Sequence, residues 1–186
     1  KPDGTVRPII TKALLHPSEW IVQLATNLAE HLLTAADIAE LAPRILAESK
    51  GLGMVAAAHL AVHFLGKEIA RDLMVSRLKL PLNGGCQYLF SYLADIWTPE
   101  LDSQIEEVLK PGLLFGPRTA KAALKLVWAC DASQRMALLP LLKEAYSYWQ
   151  DNEEPYPTAG GVIPETPRGE ILALMIKEDA TTYGDL

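Results

Sequence analysis

The chain has 186 residues, of which 49% are hydrophobic, and this is enough to bury a core without disulfides or a structural metal. Its formal net charge is −6, and its basic residues are scattered singly among acidic ones instead of forming a stripe. This composition disfavours nucleic acid as a partner. The longest apolar run, from Met54 to Leu65, is too short to span a membrane.

Leucine and alanine recur at helical spacing and no long stretch alternates between apolar and polar residues, so we predict an all-α fold. Helix breaks at Thr34, Gly66, Thr98 and Asp131 are separated by 32, 32 and 33 residues. Threonine and aspartate favour helix starts because their side chains accept hydrogen bonds from the free N–H groups of the first turn. Asp37, three residues after Thr34, makes a variant of the capping box.

These intervals divide the chain into five predicted pairs of antiparallel helices. The pairs are Thr5–Leu33, Thr34–Leu65, Gly66–Trp97, Thr98–Cys130 and Asp131–Glu178. Their second helices are predicted to begin near Pro17, Leu52, Gly85, Pro117 and Pro167. A period of about 33 residues also fits tetratricopeptide and ankyrin repeats, but the consensus signatures of both are missing.

Prolines and arginines at matching positions carry a family resemblance. Pro43 and Pro140 each lie nine residues after a predicted helix start, where a proline bends a helix. Arg118 and Arg168 open two second helices and are followed at the same spacing by Ala123-Leu124 and Ala173-Leu174. The chain resembles HEAT repeats in these features. The resemblance implies a right-handed α-solenoid of about five helix pairs, with Leu124 and Leu174 as equivalent core positions.

Stacked helix pairs offer a long curved surface without chemistry of their own. We therefore expect a non-catalytic module for protein–protein interaction or scaffolding, a single helical-repeat domain over 1–186 with an irregular insertion at 151–165. The partner would be another protein or another domain of the same protein, without a membrane and without a cofactor. Because the first residue is Lys1, we expect the chain to be part of a larger protein or assembly.

Two alternatives stay open. His59 and His63 lie on one helix face, which suggests a helical metal-dependent enzyme; however, a zinc protease would need a glutamate where Leu60 stands. No catalytic residue or metal ligand is predicted, and a non-enzyme is favoured. The second alternative is a nucleic-acid-binding HEAT-like module. Cys86 and Cys130 are predicted to be buried free thiols, and these indicate a reducing, cytoplasmic location.

The segment from Asp151 to Glu165 interrupts the repeat with prolines, glycines and carboxylates that forbid regular helix. Long loops in compact domains are often functional, and aromatic residues lie beside this one. Of the four tryptophans, core packing is expected for most, and Trp149 is the exception because it adjoins the loop. The predicted partner-binding residues are Tyr146, Trp149, Glu153, Glu154, Tyr156, Val162 and Ile163.

Overall fold

A computed structural model describes residues 6–49, 51–97, 102–152, 154–158 and 161–184, of which 102–103, 154–158 and 161–165 are described as backbone only. The chain divides into two compact units, Lys1–Ile96 and Trp97–Leu186. The division coincides with the boundary between the third and fourth predicted helix pairs. Within the described residues the fold is helical apart from one β-hairpin.

The first unit consists of six helices that pack as three consecutive pairs. They are α1 (Val6–Leu14), α2 (Glu19–Leu32), α3 (Ala35–Glu48), α4 (Leu52–Leu65), α5 (Lys67–Leu78) and α6 (Cys86–Ile96). Each helix contacts its partner in the pair, and successive pairs contact each other through α1 with α3, α2 with α4, α3 with α5, and α4 with α6. This contact order is compatible with a helical repeat. The predicted helix starts from Pro17 to Gly85 agree with the structure to within two residues, and the first predicted start, Thr5, lies outside the described residues.

The second unit contains helices and the hairpin. Its elements are α7 (Asp102–Phe115), α8 (Pro117–Ala129), α9 (Ala132–Ala137), α10 (Leu139–Asp151), β1 (Glu154–Thr158), β2 (Gly161–Glu165), α11 (Arg168–Glu178) and α12 (Ala180–Tyr183). Helix α7 pairs with α8, α10 pairs with α11, and the two pairs contact each other through α7 with α10 and α8 with α11. Leu124 in α8 and Leu174 in α11 are both buried, as predicted.

Capping boxes start two of the helices at the predicted residues. The Thr34 hydroxyl accepts from the Asp37 backbone N–H at 3.3 Å, and the Asp37 carboxylate accepts from the Thr34 backbone N–H at 2.9 Å. Asp131 and Gln134 make the same reciprocal pair at the start of α9, at 2.8 and 3.0 Å. Thr98, a third predicted start, lies outside the described residues.

The prolines behave less regularly than their spacing predicts. Pro43 lies inside the continuous helix α3, and Pro111, which the repeat pattern does not include, lies inside α7. Pro140 instead occupies the first turn of α10, after α9 has ended near Leu138. There the missing N–H of proline has no helical partner to lose. The predicted second bend is therefore a break between two helices.

Buried side chains from one helix pair cap a helix end in the neighbouring pair. Arg77 of α5 donates through Nε to the carbonyl oxygen of Leu46 at 2.8 Å, near the end of α3. Trp149 of α10 donates its indole N–H to the carbonyl oxygen of Leu113 at 2.8 Å, near the end of α7. The last four carbonyls of a helix lack partners within it, so each contact satisfies an acceptor that packing has removed from water.

The segment predicted to be irregular forms a regular antiparallel hairpin, and this corrects the sequence prediction. Strands β1 and β2 pair from Glu154 with Glu165 to Thr158 with Gly161. The prolines that exclude helix are compatible with an isolated two-stranded ribbon, because each strand has a free edge that needs no N–H donor. In the described part of the chain, no helix is long and apolar enough to cross a membrane.

Candidate interaction surfaces

Helix α2 exposes a row of large apolar side chains, which we call the outer face of α2. Trp20 is 86% exposed and Leu24 is 60% exposed. The outer face consists of Trp20, Leu24, Leu28 and Leu32, at four-residue spacing, and of Ile21, which lies beside them. They leave on the order of 600 Å² of side-chain surface uncovered, which matches the largest apolar patch of a typical monomer. Patches of this size commonly mark interaction sites.

The sequence of α2 contains more apolar positions than one buried face can use. Its buried residues are Val22, Ala25, Thr26 and Ala29. Its α4-facing side includes Gln23, Thr26 and Glu30, which line a groove together with α4 residues. At 3.6 residues per turn, Leu24 and Leu28 lie on roughly the opposite side from this groove. The outer face therefore points away from α4, the helix that continues the stack within this unit.

Other exposed apolar residues of the first unit lack this organisation. They are Ile9 on α1, Ile69 on α5, Leu80 after the end of α5, and Tyr88 on α6, with Ile9 67% and Ile69 52% exposed. None of the four has a second exposed aliphatic or aromatic residue three or four positions away among the described helical residues. Single exposed apolar side chains are ordinary on protein surfaces, so the outer face of α2 is the distinctive feature.

The groove between α2 and α4 holds the pair formed by Glu30 and His59. His59 Nε2 lies 2.6 Å from Glu30 Oε1, and the groove has a volume of about 250 Å³ and also includes Tyr92 of α6. The hydrogen bond from His59 lowers the pKa of the Glu30 carboxyl. Burial, followed by the charge of Asp95, raises the pKa of the Tyr92 hydroxyl. The pair links two helix pairs across the groove.

The second histidine of the alternative metal site, His63, makes ring contacts. The rings of His59 and His63 lie 6.4 Å apart between centroids and are nearly parallel, and His63 also packs edge-on against Phe64 at 4.8 Å. Among the residues that the structure describes, no three histidines, cysteines or carboxylates are grouped so as to hold a metal ion. The geometry of His59 is that of a helix-bridging hydrogen bond.

The structure separates the predicted partner-binding residues. Trp149 is 1% exposed and hydrogen-bonded to Leu113, so its ring belongs to the core of the second unit. Tyr146 is half-buried, and the Arg168 guanidinium lies over its ring at 5.3 Å from the centroid, where α10 and α11 flank the hairpin. Tyr148, which the prediction omits, is exposed and meets Trp149 edge-on.

The remaining predicted site residues belong to the hairpin or its entry. Tyr156 and Ile163 are paired partners in the strands, and so are Pro157 and Val162. Glu154 begins β1, and Glu153 lies outside the described residues. The structure thus brings Tyr156, Val162 and Ile163 together on one two-stranded ribbon, an arrangement that their spacing in the sequence does not reveal.

The sequence predicts core packing for most of the tryptophans and makes Trp149 the exception, and this prediction is wrong for Trp149, which is buried. Trp20 is exposed, and Trp128 is partly exposed, with the Lys177 ammonium 4.2 Å from the centroid of its ring. The exposure of Trp20 could have been predicted from the number of apolar residues in α2. They cover about two thirds of the helix circumference, whereas a helix with one buried face needs a single apolar stripe.

In comparisons with protein-family models, curated proteins and solved structures, nothing matched this chain.

Proposed function

We propose that the protein is a non-catalytic interaction module, built as a HEAT-like right-handed solenoid of stacked helix pairs, that binds another protein through the outer face of α2. The observation that carries this proposal is the row of exposed apolar side chains from Trp20 to Leu32. A solenoid that ends in solvent normally presents a polar outer face there. An apolar outer face, such as that of α2, favours a partner that covers it.

The energetics of this surface favour association. Each large apolar side chain that becomes fully buried contributes roughly 1.5–3 kcal/mol, and tryptophan is among the residue types that dominate binding energy at interfaces. Trp20 and Leu24 are the most exposed members of the row. They are held on a continuous helix, α2, so little backbone entropy is lost when a partner binds.

The second unit offers a further contact, which we propose at the hairpin and Tyr146. A two-stranded ribbon has unpaired backbone groups along both edges, and these can accept an extended partner segment. Tyr146 of α10 and Arg168 of α11 belong to the helices that precede and follow the hairpin in the chain, and the guanidinium lies over the ring. Trp149 does not belong to this contact, because it is buried beneath the surface.

Binding through α2 is tested with two variants of similar exposure. Leu24→Glu places a carboxylate in the centre of the outer face, and Ile69→Glu places one at an equally exposed position on α5. Purified, tagged parent and variants are used to capture proteins from extracts of the source cells, and the captured proteins are compared quantitatively. We expect proteins that are retained by the parent and by Ile69→Glu to be lost from Leu24→Glu.

Both variants should keep the melting temperature of the parent, because exposed substitutions change stability by only about 0.5 kcal/mol. Identical capture by parent and Leu24→Glu would contradict the assignment of binding to α2. The proposed contact at the hairpin is tested with a different variant. If that contact proves wrong, the proposal that α2 binds a partner is unaffected.

A further inference from the structure

We infer that the outer face of α2 binds the same face of a second copy of this chain, with the two α2 helices antiparallel about a two-fold axis. The inference rests on the proposed function, because it names the occupant of the same surface. It is carried by the spacing of the apolar residues, by the area that they expose and by the placement of charge around them.

The spacing of the outer face is self-complementary. Leu24 and Leu28 stand two residues on either side of Thr26, and Trp20 and Leu32 stand six residues on either side. When two copies of the helix run antiparallel about an axis at this centre, Leu24 of each copy meets Leu28 of the other. Trp20 of each then meets Leu32 of the other. A two-fold interface requires such mutual contacts, since the same patch serves both subunits.

The exposed area suits a dimer of moderate affinity. Stable protein interfaces bury about 800 Å² on each partner, and the outer face of α2 supplies on the order of 600 Å² of apolar side chain before any rim is counted. Trp20 contributes the largest part because it is almost wholly uncovered. An interface of this kind is large enough for reversible dimerisation.

Charge around α2 favours a second copy over a membrane. Glu30 lines the groove opposite the outer face, and Glu19, about three helical turns before Glu30, lies on the same side. Two copies therefore pair without bringing these carboxylates together. Helices that bind membrane surfaces carry lysine or arginine beside the apolar face. Helix α2 contains neither, and the whole chain has a net charge of −6.

The first test is the molar mass of the purified full chain, measured by sedimentation or by light scattering over about 1–300 µM, the range in which moderate affinities are resolved. We expect the parent and Ile69→Glu to form dimers as concentration rises. Leu24→Glu places an unpaired carboxylate against Leu28 of the other copy twice per dimer, and we expect it to dimerise at least ten-fold more weakly.

A mixing experiment tests the antiparallel pairing itself. Leu24→Glu and Leu28→Lys should each be monomeric alone. When mixed, one chain of each kind brings the new carboxylate against the new ammonium and leaves a Leu24–Leu28 contact at the other end, so a heterodimer should form. It should weaken with added salt. Leu24→Glu mixed with Ile69→Lys is the matched control: Ile69→Lys should dimerise with itself as the parent does, and no salt-sensitive heterodimer with Leu24→Glu should form.

The outcomes separate this inference from the proposed function. A parent that stays monomeric throughout the range overturns the inference, and so does dimerisation that survives in Leu24→Glu. If such a monomer still captures another protein in a way that depends on Leu24, the proposed function holds and the occupant of α2 is a different protein. Variants that do not associate on mixing, in spite of a dimeric parent, overturn the antiparallel arrangement.

Discussion

Trp149 and Trp20 show how a single residue type takes opposite roles in this chain. Trp149 is buried and donates its indole N–H to the Leu113 carbonyl oxygen at 2.8 Å. Trp20 is 86% exposed on α2. Both lie in apolar helical sequence, and the difference arises because α10 packs on α7 while no described element of the first unit covers the outer side of α2. Whether each tryptophan ring is buried or exposed therefore depends on which helices pack against its own helix.

Trp149→Phe should destabilise the second unit by about 2 kcal/mol, because it leaves a buried carbonyl oxygen without its donor and removes part of a packed ring. Denaturant unfolding of the full chain measures this change. Tyr148→Phe, at the exposed neighbouring position, should stay within about 0.5 kcal/mol of the parent. Equal stability of the two variants would show that the indole hydrogen bond contributes nothing.

Asp37 gives a pH-dependent prediction. Hydrogen bonds from the Thr34 hydroxyl and backbone N–H, with a smaller effect from the charge of Arg7, hold the pKa of Asp37 below its usual value. A carboxyl whose pKa is lower in the folded state stabilises the fold above its unfolded pKa of about 3.9. That stabilisation is lost as the pH falls through the lowered folded value.

The parent should therefore melt at a higher temperature than Asp37→Asn at pH 7, and the difference should shrink below about pH 4. Thermal melts followed by circular dichroism across this range measure the difference. Asp72→Asn, which alters an exposed carboxylate on α5, is the control and should show a smaller difference at pH 7. A gap between parent and Asp37→Asn that stays constant down to pH 3 would contradict the assigned origin of the pKa shift.

At the scale of elements, the same device recurs in both units. The end of α3 is capped by Arg77 from α5, and the end of α7 is capped by Trp149 from α10. In each case the donor comes from the first helix of the next pair, 31 or 36 residues further along the chain. A guanidinium and an indole thus serve one purpose, which is to satisfy a helix-end carbonyl oxygen where two pairs pack.

The sequence predicted the helices well because their signals are local. Thr34 and Asp131 cap helices through residues three positions away, and such contacts can be read from one short segment. The sequence does not predict the hairpin, because prolines and glycines exclude a helix but do not indicate which structure forms in its place. The pairing of Tyr156 with Ile163 joins two separate stretches of the chain, and no alternation of apolar and polar residues in this segment predicts it.

The hairpin is tested by replacing residues 155–163 with a short Gly/Ser linker. A two-stranded ribbon alone adds little stability, and Trp149 and Leu174 keep the core of the unit. We therefore expect the variant to retain the helical circular dichroism and melting temperature of the parent while losing the partner that binds the second unit. Tyr148→Ala, which truncates an exposed ring outside the proposed contact, serves as the control for binding. A variant that unfolds would identify the hairpin as structural, and unchanged binding would place the contact elsewhere.

At the scale of the whole molecule, the candidate site was less predictable than the fold. Periodicity identifies a helix with an apolar face, but it cannot say whether a second apolar face is covered. In α2 the buried Ala25 and the exposed Leu24 are adjacent in sequence, and both are ordinary residues of an amphipathic helix. Only the positions of α1 and α4 against α2 show that the Trp20–Leu32 row remains open.

The sequence predicts one domain over 1–186, and this stays a prediction; the structure divides the chain into two compact units, Lys1–Ile96 and Trp97–Leu186. We expect residues 1–96 to fold alone, because α6, which carries the buried Phe90 and Leu89, packs on α4 and α5 of the same unit. A fragment of this length should show helical circular dichroism and a cooperative melt, although with lower stability than a larger core provides. The fragment 1–84 lacks α6 and should lose the cooperative transition, since it uncovers the residues against which α6 packs. If 1–96 is unfolded while the full chain is folded, the core of the first unit depends on the second, and the single-domain prediction stands.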